Sequence, residues 1–215
     1  MKRVPMYIIC LAILLTAGLY GFWQIEKPQA DDITEEVIEE NIPYETLFRK
    51  YAPEIGWRWE MLAALCWEES HWNPDAQSAS GARGLMQLMP KTGSRFNLND
   101  STFCLPEDNL QAGIKYIQHL QRVFAFITDS AENQNFVLAS YNAGPAHIMD
   151  ARRLAKRYGR SPYIWFDNTE YWLTQLQYPE IAADSVVQYG TFNPQETVAY
   201  VRKVKRTYKR ILNNE

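Results

Sequence analysis

Helical spacing of apolar residues between residues 44 and 212 constrains the fold of this chain more than any other feature. Apolar side chains recur three or four positions apart, which places them on one face of a helix. No stretch alternates apolar and polar residues with a period of two, and no dipeptide typical of a hairpin turn separates two apolar runs. The sequence therefore predicts an all-α fold, with one domain over residues 44–212 and no internal repeat.

Turn-forming residues divide this domain into separate helices. The pairs Asn73-Pro74 and Gly144-Pro145 predict helix ends, because proline lacks the amide N–H that a helix interior requires. Residues 75–84 are rich in Ser, Gly and Ala, which is typical of a loop. Longer helices are predicted over residues 44–51, 59–70, 107–126, 135–142, 146–158 and 195–212, and shorter ones over residues 85–93 and 169–177.

The N-terminus carries an export signal. Lys2 and Arg3 precede an uncharged, largely apolar stretch from Val4 to Ile25. Such a pattern keeps the charged end in the cytoplasm and sends the rest of the chain to the periplasmic side of the inner membrane. Residues 1–25 are either a cleaved signal peptide or a retained membrane anchor, since about 20 apolar residues can span a bilayer and no clean A-x-A cleavage site is present.

Charge and composition exclude some functions. The formal net charge is −3 and the pI is about 5.7, so nucleic-acid binding by a basic surface is not expected. The run of Asp and Glu within residues 26–43 predicts a solvated, acidic tether between the leader and the domain. Aromatic residues make up 13% of the chain, and an ordinary use of surplus aromatic rings is stacking against sugars.

No metal or cofactor is expected from the sequence. It contains no CxxC or HExxH motif, and His71, His119 and His147 lack the spacing of a ligand set. Cys66 and Cys104 could form a disulfide in an exported domain. Cys66 lies within an apolar helical run, however, which favours a small buried thiol over a disulfide.

Glu69 is the strongest catalytic candidate that the residues themselves offer. It lies near the C-terminal end of the predicted helix 59–70, directly after an apolar run. Partial burial and the negative end of the helix dipole both favour a protonated carboxyl. A carboxyl that stays protonated near neutral pH can act as general acid on a glycosidic oxygen. Glu68 is the competing candidate, and a Glu near a helix end is more commonly an exposed surface charge.

Four sequence blocks resemble those of family 1 lytic transglycosylases, whose catalytic domains are related to goose-type lysozyme. The blocks are ESHWNP from residue 69, SASGARGLMQLMP from residue 78, ASYNAG from residue 139 and ETVAYV from residue 196. Their order and specificity make chance a poor explanation, and the likeness covers residues 44–212. The segment AHIMDAR from residue 146 is similar to the catalytic module of the membrane-bound F subtype of that family.

The resemblance implies a fold and a role for each matching residue. The domain would be lysozyme-like, and Glu69 would be the single catalytic acid, which later acts as the base. Seven further residues would contact the saccharide: Ser78, Gln87, Met89, Tyr141, Asn142, Glu196 and Tyr200.

Some of these roles stay open when the residues are taken alone. Tyr141 and Tyr200 lie on predicted helices, where an aromatic side chain usually packs in the core. Tyr141 could also donate a hydrogen bond to Glu69 or to the N-acetyl oxygen of a substrate. Helical spacing does not decide whether Met86 or Met89 faces the site.

The glycan strand of peptidoglycan is the partner that the resemblance implies. Most glycosidases use two carboxylates, whereas in this family one suffices, because the acetamido group of the substrate assists. The C6 hydroxyl of MurNAc then attacks C1, which breaks the β-1,4 bond to GlcNAc without water and leaves a 1,6-anhydro ring. The alternatives are a hydrolysing muramidase of the same fold and a non-catalytic glycan-binding protein of the envelope. The sequence identifies no protein partner.

Overall fold

A computed structural model describes residues 41–213, so the predicted leader (1–25) and most of the predicted tether (26–43) lie outside the described residues. Besides its α-helices, the described part contains a 3₁₀ turn at Ala52–Ile55 and a π-helical turn at Trp165–Thr169. The α-helices of the described part are α1 (Glu45–Tyr51), α2 (Trp59–Ser70), α3 (Pro90–Arg95), α4 (Pro106–Val123), α5 (Ser130–Ala143), α6 (Pro145–Arg157), α7 (Glu170–Gln175), α8 (Pro179–Ala182) and α9 (Gln195–Asn213).

Helix α2 forms the centre of the described part. Every residue from Glu60 to Cys66 is buried, which requires protein on all sides of the helix. Helix α9 packs along it, and α1 packs against it as well. Because α9 is strongly amphipathic, one face covers α2 while its cations remain at the surface. The last turn of α2 lies beside the middle of α9, between Tyr200 and Thr207.

The all-α prediction is confirmed for the described residues, which contain isolated β-bridges but no strand. Helix α2 has the predicted bounds. Helix α5 begins at Ser130 instead of residue 135, because the Asp129 side chain accepts a hydrogen bond from the amide of Glu132 at 2.9 Å and caps the helix.

The prediction of a helix starting at residue 85 is wrong. Residues 85–89 form a turn, and α3 starts only at Pro90. The backbones of Arg83 and Leu88 exchange two hydrogen bonds of 3.1 Å, which closes the turn on itself. Gln87 has a φ of 44°, a left-handed conformation that a helix cannot contain.

Two buried carboxylates are each paired with a guanidinium group. Glu170 at the start of α7 accepts two hydrogen bonds, of 2.7 and 2.8 Å, from the guanidinium of Arg202 on α9. Asp150 on α6 is fully buried and pairs with Arg153. Buried carboxylates are tolerated when they are paired and hydrogen-bonded, so the Glu170–Arg202 pair joins α7 to α9, while the Asp150–Arg153 pair lies within α6.

Cys66 and Cys104 are not bonded to each other in the structure. Cys66 is fully buried in α2, and burial raises the pKa of its thiol well above the usual value, whereas Cys104 is half-buried. We therefore expect brief alkylation of the native protein to label Cys104 and to label Cys66 only after denaturation. Peptide mapping by mass spectrometry measures this, and a bridged 66–104 peptide would contradict the assignment.

Candidate active site

Glu69 lies on the last turn of α2, at a helix end that several contacts hold in place. His71 ends the helix in a left-handed conformation, with a φ of 51°. The Ser70 hydroxyl lies within hydrogen-bonding distance of the carbonyls of Cys66, at 3.1 Å, and Leu85, at 2.8 Å. The Leu85 contact joins the end of α2 to the loop 75–89. The position of Glu69 relative to this loop is thereby fixed.

Tyr200 of α9 reaches across to Glu69. Its hydroxyl donates a short hydrogen bond to Oε1 of the Glu69 carboxyl. Burial raises the pKa of Glu69 to about 7, and the nearby charges of Glu68 and Glu196 raise it further, while the hydrogen bond from Tyr200 opposes this shift. A large part of the Glu69 population therefore carries its proton at neutral pH.

Glu68 has a different environment from its neighbour. Its Oε1 accepts a hydrogen bond from the hydroxyl of Thr207, a residue of α9 that is itself buried. Thr207 lies about two turns beyond Tyr200 along α9. The two carboxyls thus contact α9 at separate points, and only that of Glu69 is hydrogen-bonded to Tyr200.

Tyr141 anchors the loop instead of contacting Glu69 through its hydroxyl. Its Oη donates to the carbonyl of Met86 at 2.7 Å, which is neither of the two partners that the sequence left open. Burial, with a smaller effect of the Glu69 charge, raises the pKa of Tyr141 well above its usual value. The Met86 side chain is fully buried, whereas Met89 is 43% exposed. Of these two methionines, Met89 is therefore the one that a ligand could reach.

Asn109 of α4 organises the loop, and the sequence analysis missed it. This fully buried side chain accepts a hydrogen bond from the amide of Met86 at 2.8 Å and donates to the carbonyls of Arg83 and Phe103 at 3.2 and 2.9 Å. One sequence signal could have pointed to Asn109: it is an amide side chain on the apolar face of α4, four positions before Gly113.

Two of the predicted saccharide-binding residues, Ser78 and Gln87, already form hydrogen bonds to the backbone of the loop itself. The Ser78 hydroxyl accepts from the amide of Ala82 at 2.9 Å. The Gln87 side-chain NH₂ donates to the carbonyls of Ala76 and Gly84 at 3.0 and 2.9 Å. The carbonyl oxygen of that amide is therefore the part of Gln87 that suits an outside ligand. Met89 is the exposed apolar residue of the loop.

Asn142 and Glu196 lie together where α5 ends and α9 begins. The Asn142 side chain accepts from the Thr197 hydroxyl at 2.7 Å and donates to Oε1 of Glu196 at 3.5 Å. Glu196 is one turn before Tyr200 on α9, so the two side chains lie on the same face of the helix, the face that contacts Glu69. The structure thus groups Glu69, Tyr200, Glu196 and Asn142. No cluster of His, Cys, Asp and Glu within residues 41–213 is arranged to hold a metal ion.

A helical domain with a partly buried Glu of raised pKa at a helix end agrees with the lysozyme-like class that the resemblance implies. A family model described as the transglycosylase SLT domain matches residues 46–164. The chain belongs to this family, as the four sequence blocks predicted.

Curated relatives and solved structures agree with this assignment. The membrane-bound lytic murein transglycosylase F of Maricaulis maris is 40% identical over 176 residues, which are 81% of this chain and 37% of that protein. Its namesake from Aeromonas salmonicida is 36% identical over 79% of this chain and 33% of its own length. This chain therefore spans about a third of the length of these relatives.

Among solved structures, the 70 kDa soluble lytic transglycosylase of Escherichia coli aligns with a TM-score of 0.53 at 25% identity, over 80% of this chain and 25% of that one. The complex of the 70 kDa soluble lytic transglycosylase with bulgecin A gives a TM-score of 0.53 at 23% identity, over 82% of this chain and 25% of that one. The second likeness concerns the fold alone. Both agree with the lysozyme-like fold that the resemblance implies.

Proposed function

We propose that this chain is a lytic transglycosylase that cleaves the β-1,4 bond between MurNAc and GlcNAc in peptidoglycan. The observation that carries the proposal is the position of Glu69 at the end of α2, where Tyr200 of α9 donates a hydrogen bond to its carboxyl and burial raises its pKa to about 7. Membership of the SLT family supports the same reaction, as do the relatives, which are named lytic murein transglycosylases.

Glu69 would act first as acid and then as base. Its proton goes to the glycosidic oxygen as the bond from that oxygen to C1 of MurNAc breaks, and the acetamido group of the substrate stabilises the positive charge at C1. The Glu69 carboxylate then removes the proton of the C6 hydroxyl, whose oxygen forms the new bond to C1. The product is a 1,6-anhydro ring, no water is consumed, and Glu69 regains its proton. Intramolecular attack benefits from proximity.

Tyr200 would tune this carboxyl during the cycle. Its hydroxyl donates to Oε1, an interaction that favours the ionised form present after the first proton transfer. Burial favours the protonated form that starts the reaction, so the two effects oppose each other and keep the pKa near 7. A pKa near the working pH allows one group to give and take a proton.

The remaining site residues would hold the saccharide on either side of Glu69. In this proposal Ser78, Gln87 and Met89 contribute from the loop, and Tyr141 and Asn142 from the end of α5. Glu196 and Tyr200 of α9 complete the set. The amide oxygen of Gln87 can accept from a sugar hydroxyl, and the exposed Met89 can pack against a sugar ring.

Export to the periplasmic side of the envelope belongs to the same proposal. The relatives are named membrane-bound, and the candidate leader lies outside the described residues. Within residues 41–213, no helix combines the length and the apolar character needed to cross a bilayer. Cell fractionation with sequencing of the mature N-terminus distinguishes a cleaved signal from a retained anchor at residues 1–25.

The pH dependence of activity tests the role of Glu69. Because the acid must be protonated, we expect kcat/KM to fall above about pH 7, by about tenfold per pH unit. Tyr200→Phe removes the hydrogen bond that lowers the pKa, so its falling limb should move to higher pH. Turbidity of sacculus suspensions measures both profiles. A native limb near pH 4.5, the ordinary value for Glu, would contradict the proposal.

A further inference from the structure

Three aromatic rings form a cluster outside the group around Glu69, and we call it the aromatic ledge: His147, Tyr189 and Phe192. The His147 ring stacks on Phe192 with centroids 4.6 Å apart, and Tyr189 meets His147 at 6.2 Å. Nδ1 of His147 is buried with no hydrogen-bond partner among the described residues, so ring packing positions this side chain. The Tyr189 side chain is 56% exposed.

The ledge rests on a rigid support. Asp150 accepts hydrogen bonds of 2.8 Å from the amides of Gln188 and Tyr189, and Arg153 donates to the carbonyl of Val186 at 2.8 Å. These contacts fix the segment on α6, the helix that also carries the histidine of the ledge. A surface ordered before binding loses little conformational entropy when a ligand arrives.

An uncharged pocket of about 350 Å³ adjoins the ledge. Its lining consists of one aromatic ring and polar side chains without charge: Gln177, Thr191, Phe192, Asn193 and Gln195. Side-chain amides both donate and accept, which suits sugar hydroxyl and acetamido groups. A ring surface with neutral amides around it therefore fits a sugar better than a charged peptide. Gln195 is the first residue of α9 and directly precedes Glu196, so the pocket lies at the start of the helix that also carries Glu196 and Tyr200.

We propose that the aromatic ledge binds a distal sugar of the glycan strand, beyond the sugars held next to Glu69. This inference rests on the proposed function. Glu196 lies about 6 Å before Tyr200 along the axis of α9, and the pocket lies beyond Glu196 at the start of the helix. Only strands long enough to extend past Glu196 would contact the ledge. It would thus make the enzyme prefer long strands.

Binding of peptide-free strands of alternating GlcNAc and MurNAc tests this proposal. The full chain carrying Glu69→Gln prevents cleavage, and calorimetry compares strands of four and eight sugars. We expect Tyr189→Ala and Phe192→Leu each to weaken eight-sugar binding about tenfold, which corresponds to about 1.4 kcal/mol. Four-sugar binding should change less than twofold. Tyr163→Ala is the matched control, since that ring is 52% exposed and packs near Arg152 instead.

Equal loss on both strand lengths, or no loss on either, would overturn the proposal. Loss confined to strands that carry stem peptides would also overturn it, because the occupant would then be the peptide. Thermal unfolding shows that each variant is folded, and Tyr189→Ala is the safer variant because its ring is mostly exposed. If the unsubstituted chain cleaves nothing while the length-dependent loss persists, the ledge is retained and the proposed function fails.

Discussion

Glu69→Gln should lower cleavage of purified sacculi by about a thousandfold or more, because general acid–base catalysis by one group commonly contributes about 10²–10⁴-fold. The amide keeps the shape of the side chain and still accepts the hydrogen bond from Tyr200, but it has no proton to give. Binding of glycan should be almost unchanged. Release of soluble fragments measures the rate, and calorimetry measures the binding.

Glu68→Gln is the matched control, with the same chemical change one position away. Its partner is Thr207 on the second turn beyond Tyr200, and an amide oxygen can accept that hydrogen bond too. We expect less than a threefold loss of activity. If the Glu68 change abolished cleavage and the Glu69 change did not, the assignment of the catalytic acid would be wrong.

Glu69→Gln should also change the free energy of unfolding, by an amount that depends on pH. The native pKa of Glu69 is raised from 4.5 to about 7, so the folded state holds this proton more tightly than the unfolded chain. The contribution of Glu69 to the free energy of unfolding is therefore greatest below about pH 4.5 and declines by about 3 kcal/mol as pH rises to about 8. Glu69→Gln, which does not titrate, should gain that amount relative to the native protein over this range, as measured by denaturant unfolding.

Gly84→Ala should unfold or severely destabilise the loop beside Glu69. A Cβ at this position would lie 2.4 Å from the carbonyl oxygen of Phe103 and 2.2 Å from Nδ2 of Asn109, in a backbone with a φ of 82°. The clash with backbone, added to left-handed strain, should cost about 3 kcal/mol or more. A loss of that size lowers Tm by about 6–12 °C in a domain of this length.

Gly81→Ala provides the control for this substitution. Its φ is 90°, but a Cβ there meets nothing within 4 Å. Only the conformational cost remains, about 1–2 kcal/mol. Activity should fall much more for Gly84→Ala, because Gly84 also accepts from the Gln87 amide. Equal effects of the two substitutions on Tm and activity would show that the contact with Asn109 and Phe103 does not hold the loop.

Local signals were sufficient for the helices that surround the site. The apolar run of α2 and the amphipathic spacing of α9 predicted both helices, with α2 at its exact bounds, because an unbroken apolar run and a one-sided apolar face are both visible in the local sequence. The start of α5 was missed because an Asp129 cap adds a polar first turn that periodicity does not register.

The arrangement of the site depended on tertiary contacts that no local pattern contains. The turn at residues 85–89 is apolar enough to suggest a helix, yet Asn109 of α4 holds it in another conformation. Tyr141 was assigned to the site from its block, but its hydroxyl is bound to the backbone of Met86. Asn109 and Asp150 hold the backbone of segments that are distant in sequence. A single sequence does not reveal which distant segments such a side chain contacts.

The products released from purified sacculi test the central claim most directly. The native chain is incubated with sacculi, and the soluble fragments are identified by mass spectrometry. If Glu69 serves as acid and then base in an intramolecular attack, the new MurNAc ends carry a 1,6-anhydro ring and are lighter by one water than reducing ends. Fragments with reducing MurNAc ends would contradict this account and identify a hydrolysing muramidase, and the absence of fragments would identify a protein that binds glycan without cleaving it.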